Sequence, residues 1–265
     1  MTGVQTCALP ISPASNGGTS ITDYVIQYSS NSGSTWTTFA DGTSTSTSAT
    51  VTGLTSNTSY IFKVAAVNSL GTGAYSSNSA SVLVRPTTPG APTALSATVV
   101  STSQIDLTWS QPSDTGGSTI TDYAIQYSTD NTTWTTFSDG TSASLSASVT
   151  GLSSNTLYYF KVAALNAQGT GSYSSSTSKA TLPNAPTALS GTTVSNTSIS
   201  LSWTAPTGTA TSDYEIKYSS DNITFNTVTD GVSTSTSVTL TGLSANQMYY
   251  FKVAAINSAG TGAFS

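Results

Sequence analysis

The chain has 265 residues, with six Lys plus Arg, eleven Asp plus Glu, no His, one Cys and a net charge of −5. The acidic balance argues against nucleic acid, whose binders need a basic patch to displace counterions. The lack of His rules out Ser-His-Asp and Cys-His catalytic sites within these residues, and no run of about 20 apolar residues is present to span a membrane.

Only 6% of residues are charged, while Ser and Thr supply 50 and 51 residues. Solubility therefore rests on hydroxyl groups rather than ions. Such a composition suits strands: Thr is β-branched and fits a pleated surface, and Ser fills turns.

In chain order, the opening MTGVQTCALPIS matches nothing that follows. The codons ACT GGA GTT CAG ACG TGT GCT CTT CCG ATC, from a common sequencing adapter, encode TGVQTCALPI. Residues 1–11, including Cys7, are therefore expected to be an adapter-derived leader fused to a truncated gene. A signal peptide cannot be judged from such a start.

A repeat begins next. SITDYVIQYSS starts at Ser20, STITDYAIQYST at Ser118 and TSDYEIKYSS at Thr211. Each is followed by a second shared block that ends in Gly-Thr-Gly. Leu54, Leu152 and Leu243 mark the register, 98 and 91 residues apart. Periods near 95 mean whole domains in tandem rather than a solenoid.

Within the middle repeat Ile105, Leu107 and Trp109 alternate, as do Tyr123, Ile125 and Tyr127, and then Tyr158, Phe160, Val162 and Ala164. Period two means one buried face and one wet face. About seven such stretches with turn signals between them predict a two-sheet antiparallel sandwich. Aligning Pro13 with Pro112 puts Pro10 opposite Trp109, so the first repeat is expected to lack its first two strands. The last residue, Ser265, aligns with Ser174 inside the expected final strand, so the gene is expected to continue.

These features together resemble the fibronectin type III family: a Trp on the second strand (Trp109, Trp203), a Tyr-x-Ile-x-Tyr third strand, and the run Leu-x5-Tyr-x-Phe-x-Val-x-Ala. The last looks like the family's tyrosine corner. The resemblance implies that Tyr60, Tyr158 and Tyr249 bury their rings and turn their hydroxyls back to nearby upstream backbone. The implied fold is all-β: three tandem immunoglobulin-like sandwiches, the first without strands A and B. Expected boundaries are 12–86, a linker at 87–90, 91–182, and 183–265, truncated in its last strand. Pro-rich joints read as semi-rigid spacers with small interfaces.

No residues announce chemistry. The Asp residues fall in turns and loops, with Asp41, Asp139 and Asp230 in Asp-Gly turns. STDNTT and SSDNIT each offer a single carboxylate, too few for calcium. No catalytic, cofactor-binding or metal-binding residue is assigned. Lys63, Lys161 and Lys252 recur with outward phase on one strand and read as a solvated face. Trp36, Trp134 and Phe225 occupy equivalent places after the C–C′ turn. That aromatic row either stacks on sugar rings or a protein partner, or packs on the sheet edge.

The expected role is non-enzymatic: an extracellular or cell-surface spacer array in a larger secreted or surface protein. Its expected partners are the flanking domains of the same polypeptide. Two alternatives stand. One is an adhesion module for polysaccharide or a cell-surface protein. The other is an accessory segment of a secreted glycoside hydrolase or of a phage structural protein.

Overall fold

The computed structural model describes the backbone of residues 5–7 and all of residues 13–265. Most of the adapter-like leader thus lies outside the described residues.

The first module contains β1 (Gln5–Cys7), β2 (Asp23–Ser29), β3 (Thr37–Phe39), β4 (Ala49–Val51), β5 (Thr58–Asn68), β6 (Gly71–Thr72) and β7 (Val82–Val84). One sheet runs β3-β2-β5-β6, with β7 also on β5; β1 pairs β4. The middle module contains β8 (Thr93–Val99), β9 (Ile105–Ser110), β10 (Asp122–Ser128), β11 (Thr135–Phe137), β12 (Ser146–Val149), β13 (Leu157–Asn166), β14 (Gly169–Tyr173) and β15 (Thr177–Ala180). Its sheets are β12-β9-β8 and β11-β10-β13-β14, with β15 on β13. The third repeats this with β16 (Thr187–Ser195), β17 (Ser198–Thr204), β18 (Asp213–Ser219), β19 (Asn226–Thr227), β20 (Ser237–Leu240), β21 (Tyr250–Asn257) and β22 (Gly260–Thr261). Its sheets are β16-β17-β20 and β19-β18-β21-β22.

The alternation read from sequence becomes burial. Along β9, Ile105, Leu107 and Trp109 are buried while Thr108 and Ser110 are exposed. In the third module Leu201, Trp203, Tyr214, Ile216, Val253 and Ala255 form one core. Trp203 meets Tyr214 edge-on at 5.1 Å, and burial pushes the Tyr214 hydroxyl pKa up. The first module's core holds Tyr24, Ile26, Val51, Leu54, Tyr60, Phe62, Val64 and Val84.

No strand A occurs among the described residues of the first module, and the place of strand B holds only β1. Val51 faces Gln5 there, where Val149 faces Ile105 in the middle module. Strand A of the other two modules carries a register shift near its start, between Thr93 and Ser96 and between Thr187 and Ser190. Ala94 and Ala188 take positive φ at these bulges, 53° and 51°.

The tyrosine corners are formed. The phenolic oxygens of Tyr60, Tyr158 and Tyr249 accept hydrogen bonds from the backbone N–H groups of Thr55, Ser153 and Ser244, at 3.1, 2.9 and 3.0 Å. The turn before each is made by Asn57, Asn155 or Asn246 at positive φ. Asn tolerates this left-handed conformation better than most residues.

Two compact units emerge. One holds residues up to Pro92 together with Pro112–Tyr123 and Ala163–Tyr173. The other holds Thr93–Gln111, Ala124–Val162 and Ser174–Ser265. Their limits do not follow the module boundaries read from sequence: in the first unit, two loops of the middle module gather around the chain that joins it to the first.

Candidate functional site

The aromatic row is built by strand geometry. Trp36, Trp134 and Phe225 are half-buried. Lys63 lies between buried Phe62 and Val64 on β5, so its side chain leaves the opposite face. Its Nζ sits 4.1 Å from the Trp36 ring centre; Lys161 lies 4.0 Å from Trp134, and Lys252 3.9 Å from Phe225. Further rings join: Tyr75 lies 4.6 Å from Lys63, and Phe264 lies 4.9 Å from Lys252. The lysines predicted as a solvated face are thus half-buried and laid over the aromatic row. Each such pair contributes about 0.5–1 kcal/mol at an exposed site. The ammonium groups occupy ring faces that a sugar would stack on.

Next to this row the C–C′ turn carries the most perturbed acids. The buried hydroxyls of Ser128 and Ser219 donate to Asp130 and Asp221 at 2.8 and 2.7 Å. Backbone N–H groups of Thr133 and Thr132, then the Ser128 hydroxyl, hold the Asp130 pKa far below the usual carboxylate range. The Ser219 hydroxyl, followed by the N–H groups of Ile223 and Thr224, holds Asp221 at about 2. Both carboxylates are spent on their own turns. In the first module the same place is taken by Asn31, bonded by Ser29 at 2.8 Å. Glu215 pairs with Lys217 at 2.9 Å. Among the described residues no group of three or more His, Cys, Asp or Glu could hold a metal ion, and no helix is long and apolar enough to cross a membrane.

Sequence reasoning located the Pro-rich joints but missed the asparagine contacts that hold them. At the end of β13, Asn166 Nδ2 donates to the carbonyls of Thr87 and Thr115, at 2.8 and 2.9 Å. At the end of β21, Asn257 Nδ2 donates to the Thr181 carbonyl and Asn155 Oδ1, at 2.8 and 3.1 Å. Asn155 is fully buried; its Nδ2 donates to Thr211 Oγ1 at 2.7 Å, and its carbonyl accepts from the Ala210 N–H at 3.1 Å. Linker backbone joins in, with Thr87 N–H donating to Gly116 O and Gly90 N–H to Asp114 O.

The second glycine of the middle and last Gly-Thr-Gly runs has a steric role. Gly171 and Gly262 do not have positive φ. A Cβ on either would overlap the carbonyl of Pro89 or Pro183. The signal that could have found these joints is the recurrence of Asn three residues before Gly-Thr-Gly, at 68, 166 and 257.

The Fibronectin type III domain family model matches residues 6–82, 90–180 and 184–265. The chain is 30% identical to exoglucanase B of Cellulomonas fimi over 238 residues, which is 83% of this chain and 20% of that protein. It is 36% identical to chitinase A1 of Niallia circulans over 131 residues, 47% of this chain and 18% of that protein. It is 33% identical to receptor-type tyrosine-protein phosphatase eta of Gallus gallus over 212 residues, 80% of this chain and 14% of that protein. The chain therefore spans at most about a fifth of the length of these relatives. Three matches covering nearly every residue, on three sandwiches with formed tyrosine corners, place the chain in the fibronectin type III family.

Proposed function

We propose that the chain is a non-enzymatic, extracellular spacer whose work is to fix one module against the next. The observation that carries this reading is the joint. Asn166 and Asn257 stand at equivalent positions, and each grips, with its side-chain amide, backbone of the chain entering from the module before. A passive flexible tether needs no such grip. A spacer does, because hydrogen bonds to the backbone carbonyls of the joining chain restrict its φ and ψ. The modules are read as 12–86, 91–182 and 183–265, with residues 1–11 a foreign leader. Native coding of TGVQTCALPI at the genomic locus would overturn the leader reading.

The test of the spacer is a distance distribution. Spin labels at exposed Thr150→Cys and Thr241→Cys, in a Cys7→Ser background, report on the middle and third modules. A single narrow distribution is expected, broadened by Asn257→Ala. A broad distribution in the unaltered chain would overturn the reading.

A second reading is an accessory segment beside a polysaccharide-acting domain, favoured by the matches to an exoglucanase and a chitinase. Adhesion through the aromatic row is the competing use of Trp36, Trp134 and Phe225. Glycan binding lost on Trp134→Ala would establish it; the lysines over these rings weigh against it.

A further inference from the structure

In the first module a groove of about 460 Å³ opens between the loop at Pro13–Gly17 and the hairpin at Asn68–Ala74, with Ile21 at its floor. The matching places in the other two modules are crossed by chain. In the middle module it is Thr87–Gly90, and in the third the stretch through Thr181 and Pro183.

Asn68 already holds the pose of its counterparts. Its Nδ2 donates to the Asn16 carbonyl at 2.7 Å, as Asn166 donates to Thr115. Its Oδ1 accepts from the Leu70 N–H at 2.9 Å, as Asn166 accepts from Gln168 and Asn257 from Ala259. The further bond made by Asn166 and Asn257 goes to carbonyls of the entering chain, of Thr87 and Thr181.

Gly73 sharpens the point. Its φ is not in the left-handed region, so its conformation does not call for glycine. A Cβ there would meet only the Ala66 carbonyl, at 3.4 Å, an ordinary contact. Local structure gives no reason for glycine at 73. The siblings do: at 171 and 262 the missing side chain makes room for a passing proline carbonyl.

We propose that this groove is a docking socket for the extended, Pro-containing segment that leaves another fibronectin type III module. Asn68 would grip a backbone carbonyl of that segment, and Gly73 would let it pass. The chemistry recognised is exposed backbone carbonyl and proline with small neighbours, as in Thr-Thr-Pro-Gly at 87–90. The inference does not depend on the spacer reading, since an adhesive array needs the same joints.

The test grafts a copy of residues 87–111 in place of residues 1–12, which supplies the segment and the missing strands ahead of Pro13. In this chimera Gly73→Ala is expected to lower Tm by several degrees, matching Gly171→Ala. In the parent chain Gly73→Ala is expected to leave Tm unchanged. A folded chimera in which Gly73→Ala is as silent as in the parent would overturn the proposal.

Should the chimera not fold, the parent chain is titrated with the synthetic peptide VRPTTPGAP and followed by NMR. Saturable shifts confined to the Asn68 side-chain amide and the Gly73 amide, lost in Asn68→Ala, support the socket. No shift at millimolar peptide overturns it. So do the same shifts appearing with protein concentration alone, which would assign the groove to a second copy of the chain.

Discussion

The first and middle modules share one sheet almost residue for residue and differ in the sheet that faces it. Phe62 and Val64 in one, and Phe160 and Val162 in the other, are equally buried. The middle module's second sheet has three strands, β12-β9-β8, with Ile105 and Leu107 fully buried and Trp109 nearly so. Among the described residues, the first module sets only the three-residue β1 against β4. A single core can thus be placed by its larger sheet, while its independent stability is expected to rest on the smaller one, because a two-stranded pair is marginal in water.

The sharpest way to break this comparison is to cut the modules apart. Residues 87–182 alone are expected to unfold in one cooperative transition, and residues 12–86 alone to show none. Differential scanning calorimetry of the two fragments checks this; a sharp transition for 12–86 would mean that the shared sheet suffices.

Within the middle module, Trp109→Ala is expected to cost about 3–5 kcal/mol by large-to-small truncation of a buried ring. Urea unfolding of 87–182 measures it. A loss under 1 kcal/mol would remove β9 as the decisive difference.

A smaller and equal effect is expected where the modules agree. Tyr158→Phe and Tyr60→Phe in the full chain each remove one bond to backbone, from Ser153 and Thr55, worth about 0.5–1.5 kcal/mol. Unequal losses would show that the first module's corner is less tightly held.

The smallest effect separates the modules by acid. Asp221 sits at about 2 in the fold against 3.8 as its ordinary value, and Asp130 is also lowered. A carboxylate depressed by folding stabilises above its unfolded pKa and loses that contribution as pH falls through the folded one. The middle and third modules should therefore lose stability between about pH 4 and pH 2 at this turn. The first should not, because Asn31 does not titrate. Module-resolved melting by NMR across that range checks it, with Asp221→Asn removing the third module's dependence.

Much of this was legible in the sequence. Ile105, Leu107 and Trp109 announced their buried face by alternation, and Leu-x5-Tyr located the corners, because both signals are local and side-chain borne. The joints were legible in position, from their prolines, but their contacts were not. Asn166 bonds a backbone carbonyl 79 residues away, and a carbonyl looks the same under every side chain. The role of Gly171 was not visible, since Pro89 becomes its neighbour only in the folded joint. The outward phase of Lys63 was read correctly, but its place over Trp36 depends on how β3 follows β2.

The joints also bear on how such an array is copied. Asn166 and Gly171 belong to one module yet hold chain that enters from the one before it. A duplication that carried residues 91–182 alone would inherit the grip without the segment it holds. One that begins at Thr87 and ends at Ala180 carries both. A repeat unit that preserves the joint would therefore be offset from residues 91–182 by one linker, with its cut upstream of Thr87.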